Sequence, residues 1–307
     1  MKVIHRLQEF LRTPQPVILT IGNFDGMHLG HQKVIQALKE VAKLQHAQTA
    51  VLTFENHPST VLNPQNVVSQ LCTLDHKLCL LEQAKIDWVV LLPFTLEFAN
   101  QTAEIFLRKL HAHIPFIHLI LGHDAFLGKD RKGDQTTLKA IANQLEFSLL
   151  YLPEYRIEAT KISSSTIRQL IVKGKLPEAS QLLGRPYSFY GRVKSGQGKG
   201  RRLGFPTANF DVTGMCLPPY GVYAVKLWRQ GIYFPAIANL GVAPTMREGS
   251  VPILEVHLLD ATLDNLPNTF CEVVFHSFIR PEQKFPSIEH LKAQISRDVI
   301  QARHYLA

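Results

Sequence analysis

The chain has 307 residues, long enough for about two domains, and its 46% hydrophobic and 19% charged composition excludes a disordered or collagen-like polymer. No apolar run approaches the roughly 20 residues of a membrane-spanning helix, so no membrane association is expected. The net charge of +8 divides evenly, +4 in each of residues 1–185 and 186–307. With no stripe of interleaved aromatic and basic residues, small phosphorylated substrates are favoured over nucleic acid.

Taken in chain order, Met1–Thr13 is charged throughout and has no apolar core of a signal peptide. Short apolar or β-branched runs then alternate with helical patterns. Strands are expected at Val17–Ile21, Thr49–Phe54, Trp88–Leu92, His118–Leu121 and Ser148–Leu152. Helices are expected near His31–Leu44, Asp75–Lys85, Thr102–His111 and Thr137–Leu145. This alternation predicts a parallel, Rossmann-like α/β sheet, with ligands beyond the carboxyl ends of its strands. Two short helices, Ser165–Val172 and Pro177–Leu183, follow.

After Gly184 the rhythm changes to short alternating runs parted by Gly and Pro: Tyr187–Val193, Val222–Trp228, Ile253–Leu259 and Cys271–Phe278. That pattern predicts a small antiparallel β-barrel, closed by a C-terminal helix over Ser287–Arg303. Residues 1–184 and 185–307 are therefore expected to be separate domains. The cysteines Cys72, Cys79, Cys216 and Cys271 form neither a CxxC pair nor a dense framework. Reduced thiols in a cytoplasmic protein are expected.

The first chemical motif is Gly22-Asn23-Phe24-Asp25-Gly26-Met27-His28-Leu29-Gly30-His31, placed after a strand and opening a helix. Glycines there permit a tight turn, and a helix start offers free N–H groups and a positive dipole end to phosphate. His28 and His31, three apart, can face one point and stabilise charge developing on phosphorus. The plain reading is a turn with two surface histidines. A zinc pair lacks a third ligand at suitable spacing. Farther on, Ser163–Thr166 can cap a helix that carries Arg168 one turn in, which suits either a simple N-cap or a phosphate clamp.

The second candidate is basic and Gly-rich. Between Glu178 and Asp211 there is no acid, while Arg185, Arg192, Lys194, Lys199, Arg201 and Arg202 all fall there. No Gly-Lys-Ser/Thr occurs, which excludes a P-loop kinase, and protein-kinase signatures are missing. Thr207 and Asn209, two apart, can point neutral oxygens to one side, suitable for Mg²⁺ carried by ATP; the plain reading is a turn between barrel strands. Glu255 alternates with Leu254 and Val256, so it faces away from the apolar side of its strand.

These stretches together resemble the bacterial bifunctional riboflavin kinase/FMN adenylyltransferase (FAD synthetase) family. The resemblance rests on the Gly22–His31 motif, Phe54-Glu55-Asn56-His57-Pro58, Gly122-His123-Asp124-Ala125-Phe126-Leu127-Gly128, Ile162–Arg168 and Gly204-Phe205-Pro206-Thr207-Ala208-Asn209. It implies phosphorylation of riboflavin to FMN in the C-terminal domain and adenylylation of FMN to FAD in the N-terminal one. It implies His28 and His31 at the adenylyl-transfer phosphate, with Gly22, Phe24, Gly30, Ser164, Thr166 and Arg168 on ATP. It places His57, Pro58, Asp124 and Phe126 against the flavin. In the kinase domain it implies Gly198, Arg202, Gly204, Pro206, Thr207 and Asn209 on ATP, Thr207 and Asn209 on Mg²⁺, and Glu255 as general base. Ala125 and Ala261 stand where the family usually has aromatic residues. The alternatives are a chain with one active module, or a flavin- or nucleotide-binding regulator. ATP, riboflavin and FMN are the expected partners, and oligomeric state is not legible.

Overall fold

Val17–Ile21 is buried along its whole length, on both faces, as a central strand of a parallel sheet covered by helices must be. The computed structural model that shows this describes residues 1–194, 200, 203–243, 251–260 and 268–307. The chain forms two units: Met1–Val68 with Lys77–Ser164, and Ser69–His76 with Ser165–Ala307.

The first unit carries strands β1 (Lys2–Ile4), β2 (Val17–Ile21), β3 (Gln48–Phe54), β4 (Trp88–Leu92), β5 (Phe116–Leu121) and β6 (Ser148–Tyr151). They pair in the order β1-β4-β3-β2-β5-β6, all parallel. Helices α1 (Leu29–Leu44), α2 (Ser59–Leu62), α3 (Leu74–Gln83, of which Lys77–Gln83 belong to this unit), α4 (Leu96–Ala99), α5 (Ala103–His113) and α6 (Gln135–Leu145) connect them, and a small hairpin, β7 (Arg156–Ile157) and β8 (Thr160–Lys161), ends the unit. Helix α1 buries Val34, Ile35, Leu38 and Ala42, an apolar stripe at helical spacing. Because β3 and β5 flank β2 on opposite sides, the connections diverge there and open a crevice at the carboxyl ends of β2 and β5.

In the second unit, α7 (Ser164–Val172, starting on the last residue of the first unit) and α8 (Leu176–Leu183) precede the sheet. Its strands are β9 (Ser188–Arg192), β10 (Ala208–Asp211), β11 (Gly221–Arg229), β12 (Ile232–Ala243), β13 (Val251–Leu258) and β14 (Phe270–Arg280), before the final helix α9 (Ile288–Leu306). They pair antiparallel in the order β10-β13-β12-β11-β14-β9. Beyond β9, the Lys194 N–H donates to the Asn209 carbonyl at 2.8 Å, so the sheet's two edges meet and the barrel nearly closes. Helix α9 packs Ala302 against Val222, Ala224 and Ile237. The segment Ser69–His76 bridges the 214–216 stretch: Gln70 N–H donates to Gly214 O at 2.8 Å and Cys216 N–H to Gln70 O at 2.7 Å.

The parallel α/β sheet, the antiparallel near-barrel and the C-terminal helix match the fold read from the sequence. Five strands escape that reading, and two of them, β7 and β8, are only two residues long. β1 is too short and too charged to show a pattern. β10 lies inside the Pro-Thr-Ala-Asn stretch that reads locally as a turn. β12, the longest strand, contains Pro235 and Gly241, which interrupt its periodicity. The four cysteines are free thiols. Among the described residues no helix is long and apolar enough to cross a membrane.

Candidate functional site

At the carboxyl end of β2 the chain turns through Gly22–Met27 before α1 begins. Phe24 takes a left-handed backbone, φ 51°, and its ring packs on His31, centroids 5.1 Å apart. Gly22 leaves room for that ring, since a Cβ there would lie 3.0 Å from it. His28 is buried and is the N-cap of α1: its Nδ1 accepts the His31 N–H at 3.3 Å. Gly30 lets the His28 ring lie against the first turn, where a Cβ would stand 3.1 Å from it. The two imidazoles stack, centroids 3.7 Å apart. Desolvation by burial, followed by the neighbouring His28 and Lys77, holds His31 well below the usual histidine range, so it is neutral at neutral pH. Among the described residues, no hydrogen-bond partner meets the buried His31 Nδ1.

A cavity of about 390 Å³ opens beside these residues, and Gly22, Phe24, His31, Pro58, Asp124 and Phe126 all line it. Phe54, Phe94 and Phe98 form its apolar wall. Phe126 is 44% exposed and carries the Arg131 guanidinium 4.6 Å above its ring, so it does not return to the core. His57 points elsewhere, with its Nδ1 accepting the Ser59 N–H at 3.1 Å. The Ser164 hydroxyl donates to Asp25 O at 3.2 Å. Thr166 and Arg168 belong to the second unit, where Arg168 Nε donates to Ser69 O at 2.7 Å.

Sequence reasoning missed Lys77. It is buried, and its ammonium donates to Asn23 O at 3.2 Å, Thr53 Oγ1 at 3.3 Å and Phe54 O at 2.9 Å, tying the ends of β2 and β3 together. The signal was a lysine one turn before the buried Leu81, on the apolar stripe of α3.

The second site is in the barrel. β13 buries Leu254, Val256 and Leu258, which turns Glu255 and His257 toward a cavity of about 410 Å³ lined also by Gly200, Thr207 and Asn239. Asn209 is buried and stands directly across from Glu255 in the β10–β13 register. Its Nδ2 donates to Thr207 O at 3.4 Å, which leaves the amide oxygen for another partner. Pro206 O receives His257 Nδ1 at 2.8 Å, and Gly204 takes φ 92° with open space around it. Gly198 and Arg202 lie outside the described residues, as does Ala261.

Both parts of the chain are similar to known proteins. The FAD synthetase family model matches residues 11–166, and the riboflavin kinase model matches residues 183–306. The chain is 38% identical to the bifunctional riboflavin kinase/FMN adenylyltransferase of Haemophilus influenzae, across 99% of each chain. It is 35% identical to the protein of that name from Listeria monocytogenes, covering 94% of this chain and 92% of that one. A solved Streptococcus pneumoniae structure described as a macrolide-efflux protein is similar over 98% of both chains, with 28% identity and a TM-score of 0.83. The chain therefore belongs to the bifunctional riboflavin kinase/FMN adenylyltransferase family, with the FAD synthetase part first and the riboflavin kinase part second.

Proposed function

We propose that the cavity beside His31 transfers AMP from ATP to FMN, and that the cavity beside Glu255 transfers the γ-phosphoryl group of ATP to the 5′-hydroxyl of riboflavin. The observation that carries this reading is that the two family motifs fall on two different cavities, each with the residue its chemistry needs. In the first, FMN phosphate is itself the nucleophile, so the protein need only position it and stabilise charge. His28 and His31 serve as that phosphate donor pair, the neutral His31 donating through one ring nitrogen, with Ser164 beside them at the start of α7. Pro58, Asp124 and Phe126 take the flavin. The phosphate roles of Thr166 and Arg168 rest on the family resemblance, as do those of Gly198 and Arg202.

In the second, Glu255 accepts the hydroxyl proton as γ-phosphoryl transfer proceeds. Thr207 and Asn209 offer neutral oxygens that suit Mg²⁺, and the buried Asn209, its Nδ2 already engaged, is oriented to present its carbonyl oxygen. The metal would neutralise charge on the ATP phosphates. We assign residues 1–184 to the first activity and 185–307 to the second, in a cytoplasmic enzyme.

The test is to incubate the pure protein with riboflavin and Mg-ATP and to separate the flavins. Both FMN and FAD should form. In Glu255→Gln, FMN formation should fall by ~10²–10⁴, while FAD still forms from supplied FMN. Riboflavin turnover at the parent rate in that variant would remove Glu255 from the mechanism.

A further inference from the structure

Glu255 does not stand alone on its face of the barrel. β13 runs between β10 and β12, and the registers set Asn209 and Asn239 directly opposite Glu255 on its two sides. Directly opposed side chains in an antiparallel sheet share a face, with Cβ atoms about 4.5–5.5 Å apart. Asn239 and Glu255 line the same cavity. The two asparagines differ in what holds them. Asn209 gives its Nδ2 to Thr207 O, whereas Asn239 Nδ2 donates to the Glu282 carboxylate at 3.4 Å.

Glu282 reaches that place because residue 241 is glycine. A Cβ on Gly241 would fall in the Glu282 carboxylate, 2.0 Å from Oε1. This explains an isolated glycine inside a strand, where it otherwise weakens the strand. A carboxylate only accepts, so the amide of Asn239 turns its nitrogen, not its oxygen, toward Glu282. One N–H of that nitrogen is thereby committed to Glu282, and the second lies outside that contact.

We propose that Asn239 is a positioning residue for Glu255. Its amide, held from one side by Glu282, keeps the Glu255 carboxylate across from it aimed at the reacting hydroxyl. This rests on Glu255 being the base of the kinase reaction. Among the described residues, the other titratable or charged groups lining this cavity are His257 on the same strand, Glu282, and the Arg280–Asp298 pair from β14 and α9. Arg280 Nε donates to both Asp298 oxygens at 3.0 Å, so that pair is mutually engaged. Asn239 is thus the neutral donor that sits across from Glu255 on the β12 side.

The experiment measures kcat and KM for riboflavin phosphorylation in the full-length protein carrying Asn239→Asp, Asn239→Ala or Gly241→Ala, alongside Glu255→Gln. Asn239→Asp, which sets a carboxylate across from Glu255, should lower kcat by about tenfold or more. KM for Mg-ATP should stay within about twofold. Asn239→Ala should lower kcat by less, again with KM for Mg-ATP little changed. Gly241→Ala, which displaces Glu282, should lower kcat without touching Asn239 itself. Urea unfolding followed by far-UV circular dichroism reports folding of the barrel, and Gly241→Ala decides the matter if both Asn239 variants misfold. Parental kcat in the folded Asn239 variants, or in Gly241→Ala where those misfold, would overturn the inference. If Glu255→Gln has also lost FMN formation, the base assignment survives that result; if Glu255→Gln is fully active, the base assignment fails first.

Discussion

The rings of His28 and His31 lie one upon the other, 15° from parallel, and the same His28 Nδ1 that faces the His31 main chain caps α1. His28 therefore has two separable jobs. His28→Ala removes both the cap and the imidazole, and should cost about 1 kcal/mol of stability. His28→Asn keeps a capping side chain and should melt close to the parent. Both variants, and His31→Ala, should lose ~10²–10³ in FAD formation while FMN still accumulates from riboflavin. Equal loss of FMN and FAD in a folded variant would count against separate sites.

Acid should destabilise the protein through two buried histidines. His31 is held well below the histidine range chiefly by desolvation, and His76 is pushed down to about 3 by burial, with Arg185 adding to it. Glu272 lies 3.6 Å from His76 Nε2, yet burial keeps the imidazole neutral, so this contact is not an ion pair at neutral pH. Above pH 6.5, His76 is neutral folded or unfolded and contributes no pH dependence. Below it the unfolded chain takes up the proton first, and stability falls as pH drops from about 6.5 toward 3. Urea unfolding across that window should show a shallower decline in His76→Gln than in the parent.

Lys77 should matter to folding and to FAD formation together. Lys77→Met leaves Asn23 O, Thr53 Oγ1 and Phe54 O without its ammonium. Asn23 O keeps the Thr53 hydroxyl at 3.1 Å, but removing the ammonium from the other acceptors costs about 1–3 kcal/mol. Thermal melting should register that loss, and FAD formation should fall more than FMN formation, because Asn23 lies in the loop that carries His28. An unchanged melting temperature would show that other groups satisfy those acceptors.

Asp298 anchors α9 to the barrel. It is 2% exposed and takes Arg280 through two nitrogens, at 2.8 and 3.0 Å, with Gln294 donating at 2.8 Å. Asp298→Ala strands a largely buried guanidinium, which costs about 3–5 kcal/mol. Riboflavin phosphorylation should be lost at temperatures where the parent is active, since Arg280 and Asp298 both line that cavity.

A fragment of residues 186–307 contains Thr207, Asn209 and Glu255 but lacks Ser69–His76. It loses the partners of Gly214 O and the Cys216 N–H, and the Thr73 hydroxyl that donates to Tyr190 O at 2.8 Å. It should phosphorylate riboflavin, yet unfold at lower denaturant concentration than the same barrel in the intact chain. Urea titration followed by far-UV circular dichroism would compare them.

The parallel sheet was legible because each of its five longer strands is a short apolar run and each intervening helix an amphipathic one, and such local patterns survive in sequence. The Gly22–His31 stretch was legible for a related reason: the glycines, the cap and the two histidines act within ten consecutive residues. The same holds for Glu255, whose outward direction follows from Leu254 and Val256 beside it. What escaped depends on partners far away along the chain. β12 pairs on both sides despite Pro235 and Gly241, so its strand identity comes from β11 and β13, not from its own propensity. Lys77 reads as a surface lysine until β2 and β3 bring three oxygens to it. Asn239 carries no motif at all; only strand register sets it across from Glu255, and only the tight fit of Glu282 on Gly241 explains how its amide is turned. The sequence determined which chemistry was encoded, since that chemistry sits in contiguous motifs. The tertiary structure decided which distant side chains hold those motifs in place, because hydrogen bonds and register between strands have no local sequence pattern.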